Sequence, residues 1–122
     1  MLSSIYAVQA KDTEQVYQEA YQGKSDAYIK ASEKYSENVS KRIRKKWRPS
    51  HLKGIHEISV LYTINKNGTV KDVSIASSNA PDQLNQDSID AVVAASPFDP
   101  LPAVLGNEYV MEFTFHYKRN WK

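Results

Sequence analysis

The sequence predicts a single small α+β domain in the order helix, strand, strand, helix, strand. Three observations carry that prediction. A proline-free stretch from Thr13 to Lys46 is rich in Glu, Gln, Lys and Ala, which favours helix. From Ile55 the apolar period changes to two, and Asn67-Gly68 follows as a strong short hairpin signal. The chain closes on Tyr109, Met111, Phe113, Phe115 and Tyr117, which alternate with Val110, Glu112, Thr114 and His116.

Within the first stretch, Tyr17, Tyr21, Tyr28, Ala31 and Tyr35 recur at steps of three, four or seven and share one helical face. Gly23, Ser25 and Asp26 read as a stop followed by a fresh N-cap, so one helix and two are both compatible. The tyrosine face reads as a packing surface. The helix should end near Trp47, because Pro49 disfavours helix at the residue before it. Trp47 is expected to plug the core where helix meets sheet.

In the first strand, Ile58, Val60, Tyr62 and Ile64 fall on one face, with Glu57, Ser59 and Thr63 on the other. The return strand spans about Thr69 to Ser77. Val70 and Val73 have opposite parity there, which predicts a bulge near Lys71-Asp72. Asn85 is expected to cap a second helix running to about Ala95, with Ile89, Val92 and Val93 inward. The proline-rich stretch from Ser96 to Pro102 should be extended. The second helix acts as a crossover, which gives a three-stranded, antiparallel-type sheet in order 2-1-3. Helices should cover its apolar face. The last strand then lies at a sheet edge.

The 122 residues suffice for one core. Residues 1–12 read as a signal remnant cleaved after Ala10 or an ordinary terminus, 13–38 as an N-terminal helical extension, and 39–122 as the domain proper. No apolar stretch approaches the ~20 residues of a transmembrane helix. With no cysteine, disulfides and thiolate chemistry are excluded.

No convergent catalytic set is visible, so the sequence does not read as an enzyme. His51, His56 and His116 lack metal-site spacing, and His56 and His116 are expected to face solvent. Asp82, Asp87, Asp90 and Asp99 are scattered. Neither a phosphate-binding glycine loop nor a nucleophile elbow is present, and no cofactor is expected. Net charge is +2, but residues 41–54 hold seven basic groups and no acidic one. Lys41, Arg42, Arg44, Lys45, Lys46 and Arg48 read as a solvated helix C-terminus that complements the macrodipole. The alternative is a contact for nucleic acid, anionic lipid or an envelope polymer, with nucleic acid disfavoured because only Trp47 supplies a nearby aromatic.

Several segments fall in a recognisable order: Ile43 to Pro49, Ile58 to Ile64, Asn67-Gly68-Thr69-Val70, Val73 to Ser78, Leu84 to Ala95, Ser96 to Pro102, and Glu112 to Phe115. Together they resemble the C-terminal domain shared by TonB and TolA, over about Val39 to Tyr117. The helix-Trp-Pro junction and the stretch from Pro97 to Pro102 are closer to the TolA-like branch. Where the family often has a glycine after the Ser-Ser pair, this chain has Asn79, which tolerates positive φ.

The resemblance implies a periplasmic or cell-envelope interaction module that docks partners by β-strand addition, in energy transduction or envelope integrity. Family partners are the box peptide of outer-membrane receptors for TonB, and TolB or parasitising phage and bacteriocin proteins for TolA. By position, Val110, Glu112, Phe113, Thr114, Phe115, His116 and Tyr117 would carry the docking edge.

Overall fold

The computed structural model describes residues 25–119. Helix α1 (Asp26–Lys46) leads into strands β1 (Gly54–Asn65) and β2 (Val70–Ser78). Helix α2 (Asp82–Ala95), a short 3-10 helix (Ala103–Leu105) and strand β3 (Glu108–Arg119) complete the chain. The three strands form one sheet in order β2-β1-β3, with both pairings antiparallel. The order expected from the crossover is the one found.

Helix α1 begins where the sequence places a fresh cap. The Ser25 hydroxyl accepts the Tyr28 N–H at 3.1 Å, which satisfies one of the orphan donors of the first turn. The helix ends at Lys46, two residues short of the position that Pro49 restricts. Tyr28 and Ala31 pack half-buried against the core, and Tyr35 is buried within it. The expected helix start at Thr13, Tyr17, Tyr21 and the segment 1–12 lie outside the described residues. The boundary set between residues 38 and 39 falls inside α1.

The strand face predicted as apolar, Ile58, Val60, Tyr62 and Ile64, is fully buried. It meets Tyr109, Met111, Phe113, Phe115 and Tyr117 from β3, with Leu84, Ala91, Val92 and Ala95 from α2 above. Trp47 packs at a tilt against Phe115 with ring centroids 4.5 Å apart, while Tyr35 meets Tyr109 edge-on at 6.4 Å. Those contacts place α1 over β3. Tyr109 also hydrogen-bonds Ser32. Ser32, Ser36 and Ser40 are buried along α1 at four-residue steps.

The β2 bulge falls where the parity change predicts. Thr63 pairs with Lys71 but Leu61 pairs with Ser74, so two β2 residues oppose Tyr62. Asp72 takes a φ of 56° there, a region that Asp tolerates better than most residues. A second register shift separates Ser59 and Val60.

Four local expectations are corrected. Pro81, not Asn85, stands at the N-cap of α2, and its carbonyl accepts the N–H groups of Leu84 and Asn85. Asn85 sits one turn inside and accepts the Ser78 hydroxyl at 2.5 Å. The inward face is then Leu84, Ser88, Ala91, Val92 and Ala95, and Val93 is exposed. Asn79 does not use a positive φ. Its side-chain oxygen accepts the Glu57 N–H at 2.8 Å, closing the far end of the hairpin. His56 does not share the solvent face with His116. It pairs across the strands with Tyr117 on the core side and is half-buried, its ring 6.1 Å from that of Tyr117.

The segment after α2 is extended, as its prolines require, but it is not a free connection. Its backbone clamps the β1–β2 turn: Phe98 N–H donates to the Gly68 carbonyl (2.8 Å), and Leu101 N–H to the Lys66 carbonyl (3.0 Å). Phe98 and Leu101 are buried.

Asp87 ties α2 to the loop before β1 by accepting the Ser50 N–H at 2.7 Å. Burial would raise its pKa, but the Ser50 and Gln83 hydrogen bonds outweigh that and hold it below the ordinary carboxylate value. A depressed folded-state pKa means that Asp87 stabilises the fold above the ordinary carboxylate range and loses that contribution as pH falls through its lowered value. Urea midpoints measured from pH 7 down to pH 3 should therefore fall further for the wild type than for Asp87→Asn.

Tyr62 is fully buried, and its hydroxyl finds no hydrogen-bond partner among the described residues. Burial, and then the neighbouring Tyr35, push its pKa far above the usual tyrosine range. Tyr62→Phe removes an unsatisfied buried polar atom at little change of shape, so it should leave the melting temperature unchanged or raise it.

Candidate functional site

The two edges of the sheet differ. The β2 edge is interrupted by two register shifts. The β3 edge has none, for β3 keeps unbroken register with β1 from Gly54↔Arg119 to Asn65↔Glu108. Among the described residues β3 has no second strand neighbour.

Which β3 peptide groups face outward follows from the hairpin. In an extended strand a residue's own N–H and C=O point to one side, and successive residues alternate. The Asn65 N–H donates to the Thr69 carbonyl at 2.7 Å, and the Glu57 N–H and C=O both meet Asn79. The odd-numbered residues of β1 at both ends thus turn toward β2. The even-numbered ones turn toward β3, where they meet Tyr109, Met111, Phe113, Phe115 and Tyr117 in hydrogen-bonded pairs. Val110, Glu112, Thr114, His116 and Lys118 consequently direct their N–H and C=O groups away from the sheet.

This parity divides the edge residues named from the sequence. Val110, Glu112, Thr114 and His116 carry the outward backbone row, and their side chains lie on the face opposite the helices. Phe113, Phe115 and Tyr117 spend their peptide groups on β1 and their side chains on the core. Sequence reasoning left out Lys118. Side-chain alternation does not give the hydrogen-bond phase. That phase is set by the pair closing the turn, Asn65 with Thr69.

The outer face is mixed. Val110 is 58% exposed and Leu61 38%. Ser59 and Thr114 hydrogen-bond across the strands at 2.8 Å. Glu57 lies 3.4 Å from His116, and Lys71 2.6 Å from Glu108. The Glu108 hydrogen bond and charge raise the Lys71 pKa and hold it cationic.

The basic segment does not form a single patch. Arg42 donates to the Pro97 carbonyl (2.9 Å), pairs with Asp99 (3.4 Å) and lies over the Phe98 ring. Asp99 also accepts from Asn38 at 2.9 Å, and its carbonyl accepts the Tyr35 hydroxyl at 2.6 Å. Burial first, then the Asp99 charge, push the Tyr35 pKa well above its ordinary value. Arg48 folds back onto the carbonyls of Lys45 and Trp47, which closes the helix C-terminus. Lys41, Arg44, Lys45 and Lys46 are exposed around the last turns. Among the described residues no cluster of His, Asp and Glu has metal-site geometry, and no helix is long and apolar enough to cross a membrane.

A family model of the TonB C terminal matches residues 32–115. The chain belongs to the TonB C-terminal family. Two solution structures of the Helicobacter pylori TonB C-terminal domain are similar in fold. The longer is 23% identical with a TM-score of 0.61, covering 95% of this chain and all of that one. The shorter is 24% identical with a TM-score of 0.57, covering 69% of this chain and 92% of that one. A comparison with curated protein sequences finds no match. This TonB C-terminal domain thus shares the helix-on-sheet architecture of those structures. Both similar structures are TonB domains, and the comparisons do not separate a TolA-like branch. They lend no support to the polyanion reading.

Proposed function

We propose that this TonB C-terminal domain is a non-catalytic, periplasmic docking module of the cell envelope. An extended segment of a partner protein adds to the open edge of β3, within an energy-transducing or envelope-integrity system. The observation that carries the proposal is the outward backbone row of Val110, Glu112, Thr114, His116 and Lys118 on a strand of unbroken register. Such a row is a template for one more strand. Membership of the TonB C-terminal family supports a protein partner over a small molecule or nucleic acid. An outer-membrane receptor segment or a Tol-system component fits it.

The test is a backbone amide titration of the whole 122-residue chain. The probe is a blocked nonapeptide of threonines with valine at its third position and lysine at its fifth. Docking at the edge should shift the amides of Val110, Glu112, Thr114 and His116 most and slow their exchange with solvent. Shifts confined to α1 and α2 would refute edge docking.

A further inference from the structure

The outer face at the open edge carries one carboxylate, Glu112, with no side-chain partner among the described residues. Glu57 faces His116, and Glu108 holds Lys71. Glu112, between them on β3, is half-buried, and its cross-strand neighbour is Leu61. Its remaining outer-face neighbours along β3 are Val110 and Thr114, which bring no charge, and the Thr114 hydroxyl is bonded to Ser59. Val110 pairs with Thr63, and both Val110 and Leu61 are exposed for apolar residues of a strand. An uncompensated carboxylate thus sits two residues along the edge from an exposed valine, and both peptide groups point toward an incoming strand.

A strand that pairs with these groups places its own residues directly opposite Val110 and Glu112, about 4.5–5.5 Å away between Cβ atoms and on the same face. This holds for parallel and antiparallel docking alike. Resting on the docking role proposed above, we propose that the edge selects an extended partner segment with a basic side chain two residues from a branched apolar one. The basic group pairs with Glu112 and the apolar group covers Val110 and Leu61. In parallel docking the apolar residue comes first, and in antiparallel docking the basic one does. Partial burial of Glu112 strengthens the pair relative to open water.

The test uses three versions of the blocked threonine nonapeptide, with valine at the third position and lysine, glutamine or glutamate at the fifth, and the same three with the two positions exchanged, so that both docking directions are covered. Dissociation constants and amide shifts are measured at low salt on the wild-type chain, Glu112→Gln and Glu112→Lys, with circular dichroism as the fold check. On the wild type the lysine peptide should bind about threefold tighter than the glutamine peptide and roughly tenfold tighter than the glutamate peptide. The order should flatten in Glu112→Gln, invert in Glu112→Lys, and weaken with added salt. Equal binding within both sets of three, with shifts at the β3 edge, would overturn the charge selection and leave edge docking standing. A lysine preference that survives Glu112→Gln would overturn it too, by assigning the effect to Glu57 or Glu108. No shift at the β3 amides with any peptide would remove the docking role and this selection together.

Discussion

Glu112→Pro is expected to weaken strand docking at the β3 edge by tenfold or more while the domain stays folded, whereas Phe113→Pro is expected to unfold it. The two positions are adjacent and differ only in phase. The Phe113 peptide faces Val60 across the β1–β3 ladder, and its side chain is buried beside Phe115, with ring centroids 4.7 Å apart. Proline there deletes a ladder hydrogen bond in the interior of the sheet and removes a core aromatic, a loss of about 3–5 kcal/mol for the ring alone. The Glu112 N–H points away from β1, and its side chain lies on the outer face. Proline is tolerated on an edge strand when the missing N–H faces solvent.

The same proline removes a donor that a docked strand needs and puts its ring where the partner backbone would lie. One lost hydrogen bond is worth about 0.5–1.5 kcal/mol, and the displaced neighbours add to it. A loss of about 1.4 kcal/mol is already tenfold in affinity. Glu112→Gln, which keeps the N–H and loses only the charge, separates the backbone effect from charge selection. Thermal melts and peptide titrations on the three variants decide the matter. Tight binding by a folded Glu112→Pro would mean that the outward row is not the docking surface.

The phase that separates these neighbours marks the limit of what the sequence discloses. Alternation at Ile58, Val60, Tyr62 and Ile64 and at Tyr109 to Tyr117 reveals both core faces, because burial on one side of a pleat is a period-two property of single residues. Asn67-Gly68 and the parity break at Val70 and Val73 reveal the hairpin and its bulge for the same local reason. Edge position follows from one crossover. What stays hidden is pairwise and distant. Which half of the β3 peptide groups is free depends on how Asn65 meets Thr69, and the open charge of Glu112 depends on Lys71 choosing Glu108 and His116 choosing Glu57.

The basic run shows a related limit. Six cations within eight residues look alike in sequence, yet Arg42 is drawn to Asp99 and Pro97, more than fifty residues away, and Arg48 to the helix end beside it. Sequence places the α2 cap at Asn85 because Asn is a strong capping residue by type. Pro81 wins since its fixed φ suits the turn and its carbonyl takes both Leu84 and Asn85. Asn85 then serves Ser78 instead.

Gly68→Ala should be one of the most destabilising single-methyl changes in the domain, and Gly106→Ala is the control that explains why. Both glycines sit at positive φ, +94° and +89°. Each substitution therefore carries a positive-φ backbone cost of about 1–3 kcal/mol, and Gly106, at ψ −159°, sits in a region that is almost reserved for glycine. A Cβ on Gly106 meets nothing within 4 Å, so the cost stops there. A Cβ on Gly68 would lie 2.0 Å from the Phe98 carbonyl oxygen and 3.2 Å from that of Asp99. The obstacle is backbone, which has no rotamer to change, so the segment from Pro97 to Pro102 must move off the turn.

Moving it breaks the bond from Phe98 N–H to the Gly68 carbonyl and strains the one from Leu101 to Lys66, at about 0.5–1.5 kcal/mol each. It also lifts the buried Phe98 and Leu101 side chains from their seats and pulls on Asp99, which Arg42, Asn38 and Tyr35 hold from α1. Beyond the backbone cost that both variants carry, the sum is about 2 kcal/mol or more, which for a domain of this size places the melting temperature of Gly68→Ala roughly 8 °C or more below that of Gly106→Ala. Equal melting temperatures for the two variants would show that the segment after α2 does not clamp the hairpin turn. A large gap would identify that clamp as what fixes the β1–β2 turn, and with it the hydrogen-bond phase that turns the peptide groups of Val110, Glu112, Thr114, His116 and Lys118 away from β1.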